Sequence, residues 1–287
     1  MAIPAITPYL MPMASDLPKN KVNWKADPKR LVLLIHDMQQ YFIDAYIPSE
    51  SPMVQLLENI QLLKAQCEKL GIPVIYTAQP GDQEPRDRAL LTDFWGTGLT
   101  DDSTQTKIVD EVSPSSKDTV LTKWRYSAFK KTNLMEIMGN QGRDQLIICG
   151  IYAHIGCLLT SADAFMQDVE TFFICDAVAD FSLESHKMTM KYIADNCGVA
   201  TTTKMFIDGI NSKVMTLQLV REKVAGLLHE SYLDIDDNEN LIDRGLDSIR
   251  IMSLVELWRV NCNHISFAKL AKEPTISAWW NLLSSSK

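Results

Sequence analysis

Two places in the chain combine residue types that could do chemistry, and the first of them is Ser248. It stands in the run Gly245-Leu246-Asp247-Ser248-Ile249, between an acidic stretch from Asp234 to Asp243 and an amphipathic run from Ile249 to Val260. A serine in the first turn of a helix lies where free backbone N–H groups and the positive helix end favour an attached phosphate. The spacing therefore indicates either a site for a phosphate-linked prosthetic arm or an ordinary Asp-Ser helix cap.

The second place is a set of residues that follow three apolar runs. Asp37 ends LVLLIHD, Lys123 ends TVLTK, and the segment from Gly150 to Cys157 links an apolar run to an amphipathic one. Taken singly, such an aspartate is most often a cap and such a lysine is usually solvated. Ligands of open α/β sheets bind at the carboxyl ends of strands, so the three together form a candidate catalytic site.

Strands and helices in alternation are needed to position these residues. Short apolar runs predict strands at Leu31–Met38, Pro73–Gln79, Thr119–Lys123, Gln145–Ile151 and Thr171–Val178. Amphipathic spacing predicts helices at Met53–Leu70, Lys130–Met138, Ile155–Gln167 and Leu183–Asp195. This order indicates an α/β fold with a doubly wound, mostly parallel sheet. No glycine-rich nucleotide motif is present, so a nucleotide cofactor is not expected.

The length of the chain indicates two domains. With 287 residues, we expect an α/β domain at 1–208 and a small all-α domain of four helices at 213–287. One helix is predicted before Ser248 and two after the helix that it begins. Between the second and third predicted strands, Pro80 to Ser116 is rich in charge and turn residues, and we expect it to cover the site.

Charge and hydropathy exclude several classes of protein. From Glu230 to Asp247 seven acids face only Arg244, which favours basic partner surfaces and disfavours nucleic acid. No window approaches the roughly 18 apolar residues of a membrane span. Met1 to Lys21 carries four prolines and lacks the pattern of a signal peptide, so we expect cytoplasmic residence.

The cysteines and histidines give no sign of a metal site. The six cysteines form no C-x-x-C pair, and the sequence predicts reduced, buried thiols at 67, 149, 157, 175, 197 and 262. His36 and His154 have no company of metal-ligand type, so both are assigned structural roles.

Residues 20 to 210 resemble the isochorismatase-like hydrolase superfamily. The similarity rests on Asp37, Lys123, the Gly150–Cys157 turn, Ala78-Gln79-Pro80 and Asp93-Phe94-Trp95-Gly96. The resemblance implies a catalytic set of an aspartate, a lysine and a residue at the turn, and here Gly156 occupies the position of the family's cysteine nucleophile. Cys157 comes one residue later, and one residue turns a side chain about 100° on a helix, so a thiol mechanism is disfavoured.

The glycine variant and the pairing of the two domains are similar to the bifunctional isochorismatase and aryl carrier proteins of catechol siderophore synthesis, of the vibriobactin, anguibactin and enterobactin type. This resemblance implies hydrolysis of isochorismate to 2,3-dihydro-2,3-dihydroxybenzoate and pyruvate. Because hydrolysis of an enol ether begins with proton transfer to carbon, our hypothesis is that Asp37 supplies that proton as general acid. Lys123 nearby would lower the pKa of Asp37, whereas burial and the two substrate carboxylates would raise it. The sequence leaves the balance open.

The resemblance also assigns substrate contacts, namely Gln79, Arg88, Lys123, Tyr152 and the backbone of Gly156. A dianionic substrate favours a guanidinium that binds carboxylate in bidentate fashion. Arg86 is the alternative to Arg88 for this role. Trp95 and Phe94 either form a wall beside the ring or pack in the core.

In the second domain, the resemblance implies 4'-phosphopantetheine on Ser248 and carriage of activated 2,3-dihydroxybenzoate. The implied partners are a phosphopantetheinyl transferase, an aryl-adenylating enzyme and a downstream nonribosomal peptide synthetase. Ile249, Met252 and either Val255 or Glu256, with Phe267 and Ala271, form the predicted partner surface, and the alternative is that these residues are core. Ile251 and Leu254 are predicted to be core.

Two rival functions stay open from the sequence. The first domain is either an active hydrolase or a catalytically silent scaffold beside a carrier. A cysteine amidase that uses Cys157 is a third possibility, disfavoured by its position in the turn. The sequence does not identify the siderophore or the oligomeric state, and self-association through the first domain stays open.

Overall fold

The computed structural model describes residues 3–211, 216–259, 262 and 265–284, and it divides the chain into two compact units. The first unit runs from Met1 to Ile210 and the second from Asn211 to Lys287. The sequence-based bounds were 208 and 213. Position 213 and the predicted helix end at Val260 lie outside the described residues.

The first unit is built on a parallel sheet. Its described strands are β1 (Leu31–His36), β2 (Val74–Ala78), β3 (Thr119–Thr122), β4 (Gln145–Ile151), β5 (Glu170–Ala179) and β6 (Val199–Thr201). They lie in the order β3-β2-β1-β4-β5-β6, and neighbouring strands pair in parallel. The predicted doubly wound α/β fold is thus confirmed. The sequence analysis missed β6, because three residues are too few to show a periodic pattern.

Helices cover both faces of the sheet. In chain order they are α1 (Gln40–Ile43), α2 (Met53–Lys69), α3 (Pro85–Arg88), α4 (Leu91–Trp95), α5 (Ser103–Thr106), α6 (Leu134–Asn140), α7 (Leu158–Phe165), α8 (Leu183–Asn196) and α9 (Thr203–Asn211). Successive strand residues point to opposite faces. Leu33 and Ile35 of β1 therefore pack in one core with α2, while Val32 and Leu34 pack in a second core with α6, α7 and α8.

Two helix starts differ from the prediction, each for a local reason. The helix predicted from Lys130 begins only at Leu134, because Lys131 has a positive φ of 59° that a right-handed helix does not admit. The helix predicted from Ile155 is preceded by a wider π-type turn, Ala153–Cys157, which leads into α7. This turn follows β4 directly and brings its backbone to the candidate site.

The second unit is a small helical domain, as predicted. It contains α10 (Leu217–Leu228), α11 (Ser248–Arg259), α12 (Phe267–Lys272) and α13 (Ile276–Ser284). Trp258 and Trp279 meet edge to face at its centre, with ring centroids 5.7 Å apart. Its buried apolar residues form a core of their own, so the unit has the make-up of an independent domain.

Two further findings concern the cysteines and the length of the helices. All six cysteines are buried thiols, as the sequence predicts. Among the described residues, no helix has both the length and the apolar character that a membrane crossing requires.

Candidate functional sites

The candidate active site lies where the strand order of the first unit reverses. β2 and β4 flank β1 on opposite sides, so the loops that leave β1 and β4 diverge and open a crevice at the carboxyl edge of the sheet. The predicted catalytic and substrate-binding residues all line one pocket there, namely Asp37, Gln79, Arg88, Trp95, Lys123, Tyr152 and Gly156. Its empty volume is about 660 Å³, open solvent at the mouth included.

Asp37 and Lys123 form a buried ion pair at the floor of this pocket. Lys123 Nζ donates to Asp37 Oδ2 over 2.8 Å, and both side chains are almost fully shielded from solvent. Thr77 Oγ1 donates to Asp37 Oδ1 over 2.6 Å, and Gln79 Nε2 donates to Asp37 Oδ2 over 3.3 Å. Asp37 also has a positive φ of 48°, a strained backbone conformation of the kind found at functional sites.

The environment of Asp37 settles its charge in the free protein. Burial acts to raise the pKa of the Asp37 carboxyl, but the Lys123 ammonium and the hydrogen bonds from Lys123 and Thr77 outweigh it. The pKa of Asp37 therefore lies below its ordinary range. In the free protein, the attraction of Lys123 and the hydrogen bonds together therefore outweigh burial, and Asp37 is a carboxylate at neutral pH.

Arg88 is the buried guanidinium of the pocket. Only 4% of the residue is exposed, and its Nε donates to the Gly96 carbonyl over 2.5 Å. Its Nη1 is buried without a hydrogen-bond partner. Gly98 makes this burial feasible, because a Cβ there would lie 2.3 Å from Nη1. A buried donor without a partner is costly, so the geometry favours an anionic ligand at Nη1.

Two residues of the covering segment, Arg86 and Phe94, lie outside the pocket, although the sequence had suggested them as possible substrate contacts. The Arg86 side chain is 85% exposed and does not line the pocket, which leaves Arg88 as the candidate clamp. Phe94 is 70% exposed and does not line the pocket, so neither core packing nor a place in the wall beside the substrate is found for it. The cause is the short helix α4, which turns Trp95 towards the pocket and Phe94 away from it.

An aromatic stack forms one side of the pocket. Phe181 stacks on Tyr152 with ring centroids 4.3 Å apart, and on Trp95 at 6.1 Å. Trp95 Nε1 also donates to the Tyr126 hydroxyl over 2.6 Å. Tyr152 is fixed in turn by a hydrogen bond from its hydroxyl to the Phe42 carbonyl. This stack could bind the flat face of an unsaturated ring.

Gly156 and Cys157 take opposite positions in the turn after β4. Gly156 lines the pocket, whereas Cys157 is fully buried in the second core. Burial raises the pKa of the Cys157 thiol well above its usual value. A buried, protonated thiol that faces away from the pocket does not act as a nucleophile there.

Several residues in the pocket or next to it escaped the sequence analysis. Thr77 could have been recognised from the sequence, because it is a polar residue within the buried strand VIYTA. In the sheet it lies opposite His36. Asp180 follows β5 and is fully buried; it accepts hydrogen bonds from the His154 backbone N–H (2.7 Å) and ring Nδ1 (2.5 Å). Tyr126 carried no signal, since nothing in sequence connects it to Trp95.

The candidate attachment site of the second unit is Ser248, the first residue of α11. Asp247 provides the helix cap, with its Oδ1 accepting from the Arg250 N–H over 2.8 Å, and Ser248 is left exposed. Ile249 and Met252 are exposed on the following turn. Val255 is core, so Glu256 is the exposed member of the alternative posed from sequence.

Phe267 and Ala271 on α12 are half-buried, and Ile251 and Leu254 are buried. The exposed patch is therefore centred on α11. It is narrower than the sequence predicted, because α12 packs part of its apolar surface against the core of the unit.

The fold and the pocket define the first unit as a doubly wound α/β protein with a buried carboxylate–ammonium pair and a guanidinium suited to an anionic ligand. The sequence model of the isochorismatase domain family matches residues 31–205 of this chain. The chain is 54% identical to a Bacillus subtilis protein named isochorismatase, covering 99% of this chain and 96% of that protein. It is 48% identical to enterobactin synthase component B of Escherichia coli K12, covering 99% of both.

A solved cysteine hydrolase from Pseudomonas syringae pv. phaseolicola has the same fold, with a TM-score of 0.62 at 22% identity over 68% of this chain and 98% of that one. The chain belongs to the isochorismatase family and is a hydrolase of that family.

Proposed function

We propose that the first unit hydrolyses the enolpyruvyl ether of isochorismate to 2,3-dihydro-2,3-dihydroxybenzoate and pyruvate. The observation that carries the proposal is the Asp37–Lys123 pair on the floor of a pocket that also holds the unpartnered Nη1 of Arg88. A substrate with two carboxylates suits one buried guanidinium and one ammonium. The relatives named above, which match nearly the whole chain, support the same substrate.

Hydrolysis of an enol ether needs a proton at carbon and then water. We assign Asp37 the transfer of a proton to the terminal carbon of the enolpyruvyl group, which gives an oxocarbenium ion. Water adds to this ion and loses a proton, and the resulting hemiketal releases the ring hydroxyl and pyruvate. The carboxylates of the bound substrate oppose the charge of Asp37 and raise its pKa, so that Asp37 takes up its proton as the complex forms.

The remaining pocket residues bind and orient the substrate. Arg88 binds one carboxylate through Nη1, and Lys123 lies where a second negative charge is stabilised. Trp95 and Tyr152, whose rings both stack on Phe181, form the side of the pocket that we assign to the substrate ring. Gln79 donates towards Asp37 and fixes the orientation of its carboxyl.

For the second unit we propose carriage of an aryl acid on 4'-phosphopantetheine attached to Ser248. The exposed hydroxyl at the first position of α11 fits this group, because the N–H groups of the first turn that Asp247 does not cap favour a phosphate there. When attached, the arm supplies the thiol that holds the acyl group as a thioester. The chain's similarity to enterobactin synthase component B supports this role.

The exposed patch of Ile249 and Met252 next to an acidic loop suits partners with an apolar and basic surface. We propose these partners to be a phosphopantetheinyl transferase, an aryl-adenylating enzyme and a nonribosomal peptide synthetase, working in the cytoplasm.

Pyruvate release from isochorismate, read out with lactate dehydrogenase, tests the proposed hydrolysis. We expect turnover by the parent protein and its loss in Asp37→Asn. Asp195→Asn is the matched control, since Asp195 forms an ion pair of similar length with Lys191, 2.7 Å, but on the surface. Absence of turnover in folded parent protein would refute the proposal and leave the first unit as a scaffold.

A further inference from the structure

The imidazole of His36 occupies the space beside Gly156. A Cβ built on Gly156 would lie 2.1 Å from Cε1 of His36, 2.8 Å from Nε2 and 2.9 Å from Nδ1. Real Cβ atoms do not approach other atoms so closely, so no side chain fits at position 156 while the ring of His36 stays in place.

His36 has little freedom to move out of the way. It is fully buried, and its Nδ1 donates to the Ile151 carbonyl over 2.9 Å. Thr160 Oγ1 lies 3.4 Å from Nε2 and accepts from the Ala128 N–H, so its hydroxyl proton is free to point at the ring. Burial lowers the pKa of His36 to about 4, which keeps the imidazole neutral beside Asp37.

The space that His36 fills adjoins the catalytic pair. Nδ1 of His36 lies 3.7 Å from Asp37 Oδ2, the oxygen that Lys123 Nζ contacts at 2.8 Å. A side chain at position 156 would therefore enter next to a carboxylate and an ammonium. That is the environment that takes a proton from a thiol and stabilises the thiolate.

We propose that His36 determines the reaction class of the pocket, because its ring excludes any side chain at position 156 and so leaves water as the nucleophile. The inference rests on the proposed hydrolysis for the role of the Asp37–Lys123 pair, but its steric part rests on the separate contact of His36 with Gly156. In this view His36 is a specificity-determining residue that touches no substrate. Its removal would uncover a cavity in which a protein nucleophile could stand beside Asp37.

A cycle of variants tests the steric part of the proposal. We expect Gly156→Ala to lower the Tm and abolish pyruvate release, and the same change in a His36→Ala background to have little further effect on the Tm. Gly139→Ala is the matched control, since a Cβ there meets no atom within 4 Å and its effect should be equal in both backgrounds. Tolerance of Gly156→Ala beside His36, or equal damage in both backgrounds, would overturn the proposal.

The chemical part is tested with the full chain carrying His36→Ala and Gly156→Cys. We expect iodoacetamide to alkylate Cys at position 156, located by mass spectrometry, while the six native thiols stay protected by burial. Adding Lys123→Met should slow this alkylation about tenfold at neutral pH, because loss of the ammonium raises the pKa of the new thiol.

A double variant that does not fold, a thiol that stays unlabelled, or a rate indifferent to Lys123 would each contradict the proposal. Since neither the Tm nor the alkylation uses isochorismate, these outcomes are independent of whether the proposed hydrolysis is right.

Discussion

Replacement of Arg88 by methionine is the sharpest test of how the pocket binds its substrate. The change removes a buried guanidinium whose Nη1 has no partner in the protein, while the length of the side chain is roughly kept. It also removes the hydrogen bond from Nε to the Gly96 carbonyl, which ties α3 to the end of α4. Binding and local order therefore both change, and the two effects have to be separated.

The size of the binding effect follows from the free donor. A hydrogen bond to a charged group contributes roughly 1.5–3 kcal/mol. If Nη1 donates one such bond to a substrate carboxylate, its loss raises the KM about 10- to 150-fold. The bond forms equally in the ground state and the transition state, so kcat should change little. Arg88→Lys should recover only part of the affinity, because an ammonium lacks the planar fork of guanidinium.

The assay is the steady-state rate of pyruvate release against isochorismate concentration, with a thermal melt of each variant to show that it is folded. Arg86→Met is the matched control, since that side chain is 85% exposed and lies outside the pocket. A KM of Arg88→Met within twofold of the parent value would refute the assignment. So would a rise in KM for Arg86→Met of the same size.

Three further predictions concern the two sites. In the parent protein, kcat/KM should fall as pH rises from about 6 to 8, because less of Asp37 is then protonated in the free enzyme; a rise would show that Asp37 acts as a base. Lys123→Met should cost about 3–5 kcal/mol of unfolding free energy at neutral pH. Without the ammonium, burial raises the pKa of Asp37, so urea melts should show this deficit shrinking as pH falls towards about 4, and a constant deficit would contradict the reasoning. Ser248→Ala should abolish aryl loading, measured by mass spectrometry, and Met252→Ala should slow it, with pyruvate release unchanged in both. Ser253→Ala, at another exposed serine five residues further along α11, should load normally.

Most of the fold could be predicted from local patterns in the sequence. The strands β1, β2, β4 and β5 are buried apolar runs of five or more residues, and α2 and α8 repeat apolar residues at helical spacing. Such signals depend only on near neighbours in the chain. They placed Asp37 at the end of a strand and Ser248 at the start of a helix. The missed strand β6 and the late start of α6 are cases in which a short element or one positive φ overrides the pattern.

The separation of Arg88 from Arg86, and of Trp95 from Phe94, was beyond the reach of sequence. Each pair lies in a short helix, where one or two positions along the chain decide between the pocket and the solvent. That outcome depends on how the covering segment packs on the rest of the unit, through contacts such as Gly98 with Arg88 and Trp95 with Tyr126.

By itself, the sequence determined the chemical inventory of this protein: an aspartate and a lysine at strand ends, a glycine in the turn after a strand, and a serine at the start of a helix. Folding determined their physical state. Only the approach of residues far apart in the chain keeps Asp37 a carboxylate despite its burial, through Lys123, and only the packing of His36 on Gly156 closes that position to a side chain. The charge of a buried carboxylate and the space left for a side chain both depend on distances of a few ångströms, and such distances are set by tertiary contacts.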